Sequence, residues 1–260
     1  MKNIVITGST RGIGLGLAAA FLDRGCSVTI NGTSDESIAG AISRLRGHEG
    51  RVQGVAGTVS ERDTAERLFE AARRQYGPID IWVNNAGIGQ PQKKVWDLDN
   101  AIISNVLDVN LLGVINGTSV PYQMMEKQGS GKIFNMEGLG SDGFILDRMS
   151  IYGTSKCAVH YFTKAFANEI KGSSVQIGLV SPGMVVTDLL RETVADDSEE
   201  SLKKKKFYTL LADDTETVAV FLVEKMLASS KPFERIQWLT KQKVLFRLLF
   251  GNFRRKNYFS

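Results

Sequence analysis

Cysteine is scarce in this chain: 260 residues hold two, Cys26 and Cys157, far apart and without metal-ligand spacing. Neither a disulfide framework nor a zinc site is therefore expected, and a reducing compartment suits the chain. Histidine is equally sparse, with His48 and His160 lacking ligand-spaced companions, so both read as ordinary helix or loop residues and no metal is expected. No run approaches the roughly eighteen uncharged apolar residues of a membrane span. The opening MKNIVITGS enters a β-like run at once, which leaves no room for a leader and makes a cytoplasmic location the expectation. Acid is missing from the last twenty residues, which carry six Lys or Arg, while the remainder is slightly acidic. With the basic residues gathered in a tail rather than striped over a face, and no aromatic stacking platform, nucleic acid is set aside as a partner.

What is present is an alternation. NIVITG, SVTIN, RVQGVAG, IDIWVNN, GKIFNM, VQIGLVSP and ERIQWLT are short, β-branched and bounded by Gly, Asn or Pro, and read as strands. TRGIGLGLAAAFLDRG, ERDTAERLFEAARRQYG and YGTSKCAVHYFTKAFANEIKG place apolar residues every three or four positions and read as helices. The pattern predicts an α/β fold with a parallel sheet and helices on both faces, organised as one domain over 1–260. One stretch, about 184–213, is long, charged and strandless, and its length suits an active-site lid. Its KKKK is read as a solvated helix face in preference to a phosphate or partner site.

ITGSTRGIG (6–14) follows the first strand and opens a helix. Gly8, Gly12 and Gly14 allow a tight turn and close approach of backbone to a pyrophosphate, with Thr10, Arg11 and Ile13 between them and the helix N-terminus supplying free N–H groups. An NAD-binding site would place a carboxylate at the end of the second strand; here stand Asn31, Gly32, Thr33 and Ser34. Hydroxyls, with the Arg11 guanidinium in the loop, favour a 2′-phosphate, hence NADPH (NADP+). Further along, Tyr152 and Lys156 are four apart on a helical stretch and share a face. An ammonium beside a phenol is expected to lower the phenol from roughly 10 toward neutrality, where it serves as general acid or base.

TGSTRGIG, NNAG (84–87), Asn110 in VLDVNLLG, YGTSK (152–156) and SPGMVVT (181–187), in this order and spacing over about 1–190, resemble the short-chain dehydrogenase/reductase family. The resemblance implies a seven-stranded Rossmann-type sheet, a homodimer or homotetramer, and a nicotinamide cofactor with a small-molecule carbonyl substrate. It also implies residue roles: Tyr152 as proton donor, Lys156 on the nicotinamide ribose, and Asn110 anchoring a relay water. Asn84, Ala86 and Gly87 would line the adenosine half, and Thr187, after Pro182 and Gly183, would reach the nicotinamide amide.

Two positions depart from the family pattern. Thr58 stands where an aspartate near the adenine is common, and Gly138, after Glu137, stands where a serine usually polarises the carbonyl. Ser141 is the nearest replacement, if the glycines of NMEGLGSDG let the turn fold back. The alternative is that Ser141 and Asp142 merely build the turn. IDIWVNNAG, GKIFNMEGLGSDG, SPGMVVTDLL, TETVA and IQWLTKQKVLFRLLFGNFRR are similar to one subgroup, the chlorophyll b reductases of the plant non-yellow-colouring type and their bacterial homologues. That resemblance implies reduction of the 7-formyl group of chlorophyll b or its chlorophyllide, in an open apolar cleft, with Ser141 as the polariser. Two further readings stay open: a generic reductase of oxo-acyl, sugar or steroid-like substrates, and a non-catalytic NADPH-binding protein. The tail at about 241–260 reads as an amphipathic helix docked on the body or a second subunit, in preference to one lying on a membrane surface.

Overall fold

The computed structural model describes residues 1–145, 147–187, 190–191, 199–250 and Tyr258. Seven parallel strands form one sheet in the order β3-β2-β1-β4-β5-β6-β7. They are β1 (Asn3–Ile6), β2 (Ser27–Gly32), β3 (Val52–Ala56), β4 (Ile81–Asn84), β5 (Gly131–Met136), β6 (Val175–Ser181) and β7 (Phe233–Gln237). Each strand anticipated from the sequence is there. β1, β2 and β4 are buried at every position, because helices cover both faces of a parallel sheet and leave no polar side to alternate with. The helices are α1 (Gly12–Asp23), α2 (Asp35–Arg44), α3 (Arg62–Tyr76), α4 (Asn100–Leu107), α5 (Gly113–Gln128), α6 (Ser150–Glu169), α7 (Glu199–Leu211), α8 (Thr215–Ala228) and α9 (Lys241–Phe250).

Two apolar layers hold the sheet. Leu17 and Phe21 of α1 meet Leu222 and Val223 of α8 on one face, while Leu68 and Phe69 of α3 pack with Trp82, Val120 and Met125 on the other. The strand order reverses between β1 and β4, and the carboxyl ends of the strands there open the crevice where such sheets bind ligands.

Two features escaped the periodicity. A π turn, Asp108–Leu112, joins α4 to α5 into one 29-residue helix, Asn100–Gln128, which is long and apolar enough to cross a membrane by length and composition. α5 instead packs against α3 and the sheet, and Val114, Val120 and Met125 are buried in the body. Pro121 lies inside α5 and cannot donate to the carbonyl of Gly117; the Asn84 amide donates to that carbonyl instead, at 2.7 Å.

The segment expected to be a lid carries α7, and Asp188, Leu189 and 192–198 within it lie outside the described residues. Lys204 reaches Gln92 at 3.1 Å, so the lysine run is not wholly a solvated face. In the tail, α9 turns its arginine inward. Arg247 donates to Asp213 at 2.6 Å and to the Leu211 carbonyl, and Lys243 sits 3.0 Å over the Trp238 ring. Leu245, Phe246, Leu248, Leu249 and Phe250 are each at least half exposed. The tail's Arg254, Arg255 and Lys256 lie outside the described residues.

Candidate active site

The first strand-to-helix turn is shaped for an anion. Gly8 and Gly12 take φ of 58° and 56°, in the left-handed region, and a Cβ on Gly8 would lie 2.6 Å from Cα of Ala86. Arg11 begins α1 without a side-chain cap, leaving the first-turn N–H groups of Gly12, Ile13 and Gly14 directed at the crevice. Thr187 lies over Gly12, 3.6 Å from where a Cβ would stand, so the segment after β6, with Pro182 buried and Gly183 at φ 70°, closes the far side. Thr10 touches Gly32, bringing the loop to the end of β2, where Arg11 and Thr33 are exposed with no acid between them. Ser34 is committed to capping α2, its Oγ accepting from Ser37 N–H. Thr58 shares a 2.8 Å hydrogen bond with Ser60. These residues make a cradle that fits a dinucleotide.

The asparagines sort differently from the sequence expectation. Asn84 does not face the crevice. Its amide group donates to Gly117 O and Asn135 Oδ1, and its oxygen accepts from Trp82 Nε1 at 2.8 Å, clasping β4, β5 and α5. In a strand the next residue faces the other way. Asn85 accordingly donates to the carbonyls of Thr7 and Gly8, while its own Oδ1 is buried with no partner. Asn31 accepts from Gly8 N–H at 3.1 Å and donates to Val55 and Gly57 carbonyls. Asn31 and Asn85 therefore hold the glycine loop from two sides; an asparagine at a strand end was the signal available in the sequence. Ala86 and Gly87 remain at the crevice, with Gly87 beside Lys156 Nζ.

Asn110 sits in the π turn, wholly buried. Its Oδ1 accepts from Ile88 N–H at 2.8 Å, and its amide donates to Ile88 O and Ser155 Oγ. The side chain is thus a strut under the crevice. Gln90 plays a similar part: it accepts from Tyr152 N–H at 2.8 Å and donates to the Arg148 carbonyl, fixing the start of α6.

Tyr152 and Lys156 face the turn at the end of β5. A Cβ on Gly138 would fall on the Tyr152 hydroxyl and lie 3.0 Å from Lys156 Cε and Cγ. Gly138 N–H donates to Ser141 Oγ at 3.0 Å, and Ser141 N–H returns to Gly138 O at 3.1 Å. The turn does fold back, and Ser141 is buried against the residue that meets Tyr152. Its Oγ accepts within the turn, so the hydroxyl proton stays available to another acceptor.

The expected lowering of the tyrosine is not what the folded chain does. Enclosure of the phenol against Gly138 and Lys156 pushes Tyr152 up to about 12, since a phenolate loses hydration there. Burial likewise pulls Lys156 down to about 8, and the charge of Glu137 opposes that pull. Lys156 Nζ lies 5.9 Å from the phenol ring and 3.5 Å from the Met136 carbonyl, too loosely placed to outweigh burial.

Glu137, whose role the sequence left open, is fully enclosed. One carboxylate oxygen meets His160 Nδ1 at 2.6 Å and the other meets Arg235 Nε at 2.9 Å. His160 is therefore not an ordinary helix residue. It lies four positions beyond Lys156 on the face that carries Tyr152, a spacing that could have marked it.

The family model for short chain dehydrogenases matches residues 2–198. The probable chlorophyll(ide) b reductase NYC1 of Oryza sativa subsp. japonica is 33% identical over 99% of the chain, and the chain spans about half of it, 54%. The chlorophyll(ide) b reductase NOL of the same organism is 35% identical over 98% of the chain and 77% of its own length. Among solved structures, an actinorhodin polyketide ketoreductase variant with NADPH matches at a TM-score of 0.79 and 25% identity, covering 91% of this chain and 95% of that one.

Proposed function

The chain belongs to the short-chain dehydrogenase/reductase family, and from that premise we propose that it is an NADPH-dependent carbonyl reductase of a bulky aldehyde or ketone, with the 7-formyl group of chlorophyll(ide) b as the leading substrate. The observation that carries the reading is the meeting of Tyr152, Lys156 and the Gly138–Ser141 turn at the carboxyl end of β5, beside the glycine loop. A dinucleotide held by Gly8, Thr10, Gly12, Ile13 and Gly14 would supply the hydride. The exposed Arg11 and Thr33, with no acid at the end of β2 itself, support the phosphorylated form of that cofactor.

The chain's own residues handle the carbonyl oxygen. Ser141 donates its free hydroxyl proton to that oxygen and polarises the carbonyl. Tyr152 then delivers a proton as the oxygen gains charge. Held near 12, the phenol is protonated at neutral pH, the form a reductase requires of its acid. Lys156, near 8, is mostly an ammonium at neutral pH and stabilises the phenolate left behind. Asn110 and Gln90 keep Ile88 and the start of α6 in register, so the acid does not drift from its target. Leu139, Phe144 and Ile145, exposed beside the turn, offer apolar contact to a large flat substrate. The two chlorophyll(ide) b reductases, matched over nearly the whole chain, support this substrate above oxo-acyl or steroid-like ones.

The test follows NADPH absorbance with an aldehyde panel that includes chlorophyllide b, the product being identified by chromatography. Conversion to the 7-hydroxymethyl pigment, abolished in Tyr152→Phe while NADPH still binds, is the expected result. Full turnover by Tyr152→Phe overturns the assignment of the acid; NADPH binding without turnover of any aldehyde favours a non-catalytic role.

A further inference from the structure

α6 carries Tyr152, Lys156 and His160 at successive spacings of four, a single ladder facing the segment 136–141. The first two rungs belong to the proposed chemistry; the third does not. His160 meets Glu137, whose side chain is 0% exposed and whose second oxygen pairs with Arg235. Three elements meet at this carboxylate: Glu137 directly follows β5, α6 supplies His160 one turn after Lys156, and β7 supplies Arg235. β6 lies between, and its Val180 carbonyl accepts from Glu137 N–H.

Burying such a group contributes little net stability even when it is paired, because desolvation offsets the attraction. Its consequence lies in the field it sets on its neighbours. Arg235 stands on β7, two strands from β5, whereas Lys156 Nζ lies 3.5 Å from the carbonyl that links Met136 to Glu137. Of these two charges, the one that acts on Lys156 is the negative one, Glu137, which favours the ammonium.

We propose that Glu137, braced by Arg235 and His160, is a positioning residue that keeps Lys156 in its ammonium form behind Tyr152. The inference deepens the reductase reading and rests on it. Burial by itself draws Lys156 toward neutrality, and a neutral amine would neither hold a ribose hydroxyl by a charged hydrogen bond nor stabilise the phenolate. The opposing pull of Glu137 is what leaves the lysine charged at working pH. The brace also locks the residue before Gly138, and so sets where the turn presents Ser141.

Glu137→Gln isolates the charge. A glutamine oxygen still accepts from Arg235, and its amide donates to His160 Nδ1 once the imidazole carries its proton on the other nitrogen, so both contacts survive. In the cofactor-free protein, nitrogen NMR of labelled lysines, with Lys156 assigned through Lys156→Met, should show the Lys156 midpoint falling by about one pH unit in Glu137→Gln. The alkaline limb of kcat/KM for NADPH-dependent aldehyde reduction should move down by the same amount. Arg235→Met, which removes the guanidinium and leaves the carboxylate only its His160 bond, should move the midpoint upward; this opposite sign decides the matter if Glu137→Gln does not fold. A Lys156 midpoint unchanged in the folded variants overturns the proposal. A shifted midpoint in a protein whose wild type reduces no aldehyde would retain the electrostatic brace and reject the reductase reading.

Discussion

Restoring the serine that the family usually carries should damage this protein. Gly138 is not among the left-handed glycines, so its backbone accepts a side chain and the obstacle is space alone. A Cβ there falls on the Tyr152 hydroxyl and stands 3.0 Å from two Lys156 carbons, so the atoms that must give way are those of the proposed acid and its ammonium. Overpacking of this kind costs about 1–3 kcal/mol. Tenfold in rate corresponds to about 1.4 kcal/mol, so Gly138→Ser is expected to lower kcat/KM about 5- to 150-fold if the strain falls on Tyr152. Initial rates of NADPH oxidation with the best aldehyde would measure this, beside a melting curve to separate misplacement from unfolding. Ser141→Ala should cost about 100-fold or more by removing a polarising donor, and Gly138→Ser should not rescue it. A Gly138→Ser protein as active as wild type, or rescue of Ser141→Ala by the second change, would refute the reasoning: the 138 position would then hold a hydroxyl productively, and Ser141 would be a turn residue.

Three further outcomes are expected. Thr33→Asp, an exposed change at the end of β2, should leave folding intact and move the NADPH:NADH preference about tenfold or more toward NADH, read by cofactor fluorescence titration. Lys156→Met should remove activity yet stabilise the cofactor-free protein near neutral pH by up to about 3 kcal/mol, because the wild type buries a charge there; calorimetry measures it. The sign follows from the protons: Lys156 ordinarily titrates at 10.5 but near 8 when folded, so between those values the unfolded chain holds the extra proton and wild-type stability rises with pH. Tyr152, raised from 10 to about 12, acts oppositely, its folded form keeping the proton, so stability falls across that higher window. Arg247→Met removes the guanidinium from a pair in which both side chains are less than a tenth exposed, and should lower stability by about 3 kcal/mol in a denaturant melt; Asp213→Asn in the same chain should recover part of it.

In the proposed site, the arrangement also accounts for the absence of the usual serine. The reciprocal bonds between Gly138 and Ser141 pull a hydroxyl three residues further along the chain back toward the phenol, while the missing side chain at 138 makes room for that phenol. Asn31 and Asn85 meanwhile seat the glycine loop, so the cofactor cradle and the β5 turn are held by the same sheet.

Seven strands, the glycine loop and the Tyr152–Lys156 pair were legible because each is a local pattern. β-branched runs bounded by Gly or Asn specify strands, a helix opening on glycine specifies an anion cradle, and a spacing of four specifies a shared helix face. What tertiary structure decided were matters of direction and surroundings. Adjacent Asn84 and Asn85 are chemically identical, and only the strand's place in the sheet sent one to the Gly117 carbonyl freed by Pro121 and the other to the glycine loop. The π turn that buries Asn110, the inward Arg247 of α9 and the brace of His160 and Arg235 on Glu137 join residues up to 98 positions apart. Titration behaviour belongs to the same class. Sequence spacing set a lysine near a phenol, but the loss of water around both, which only packing determines, raised the one and lowered the other.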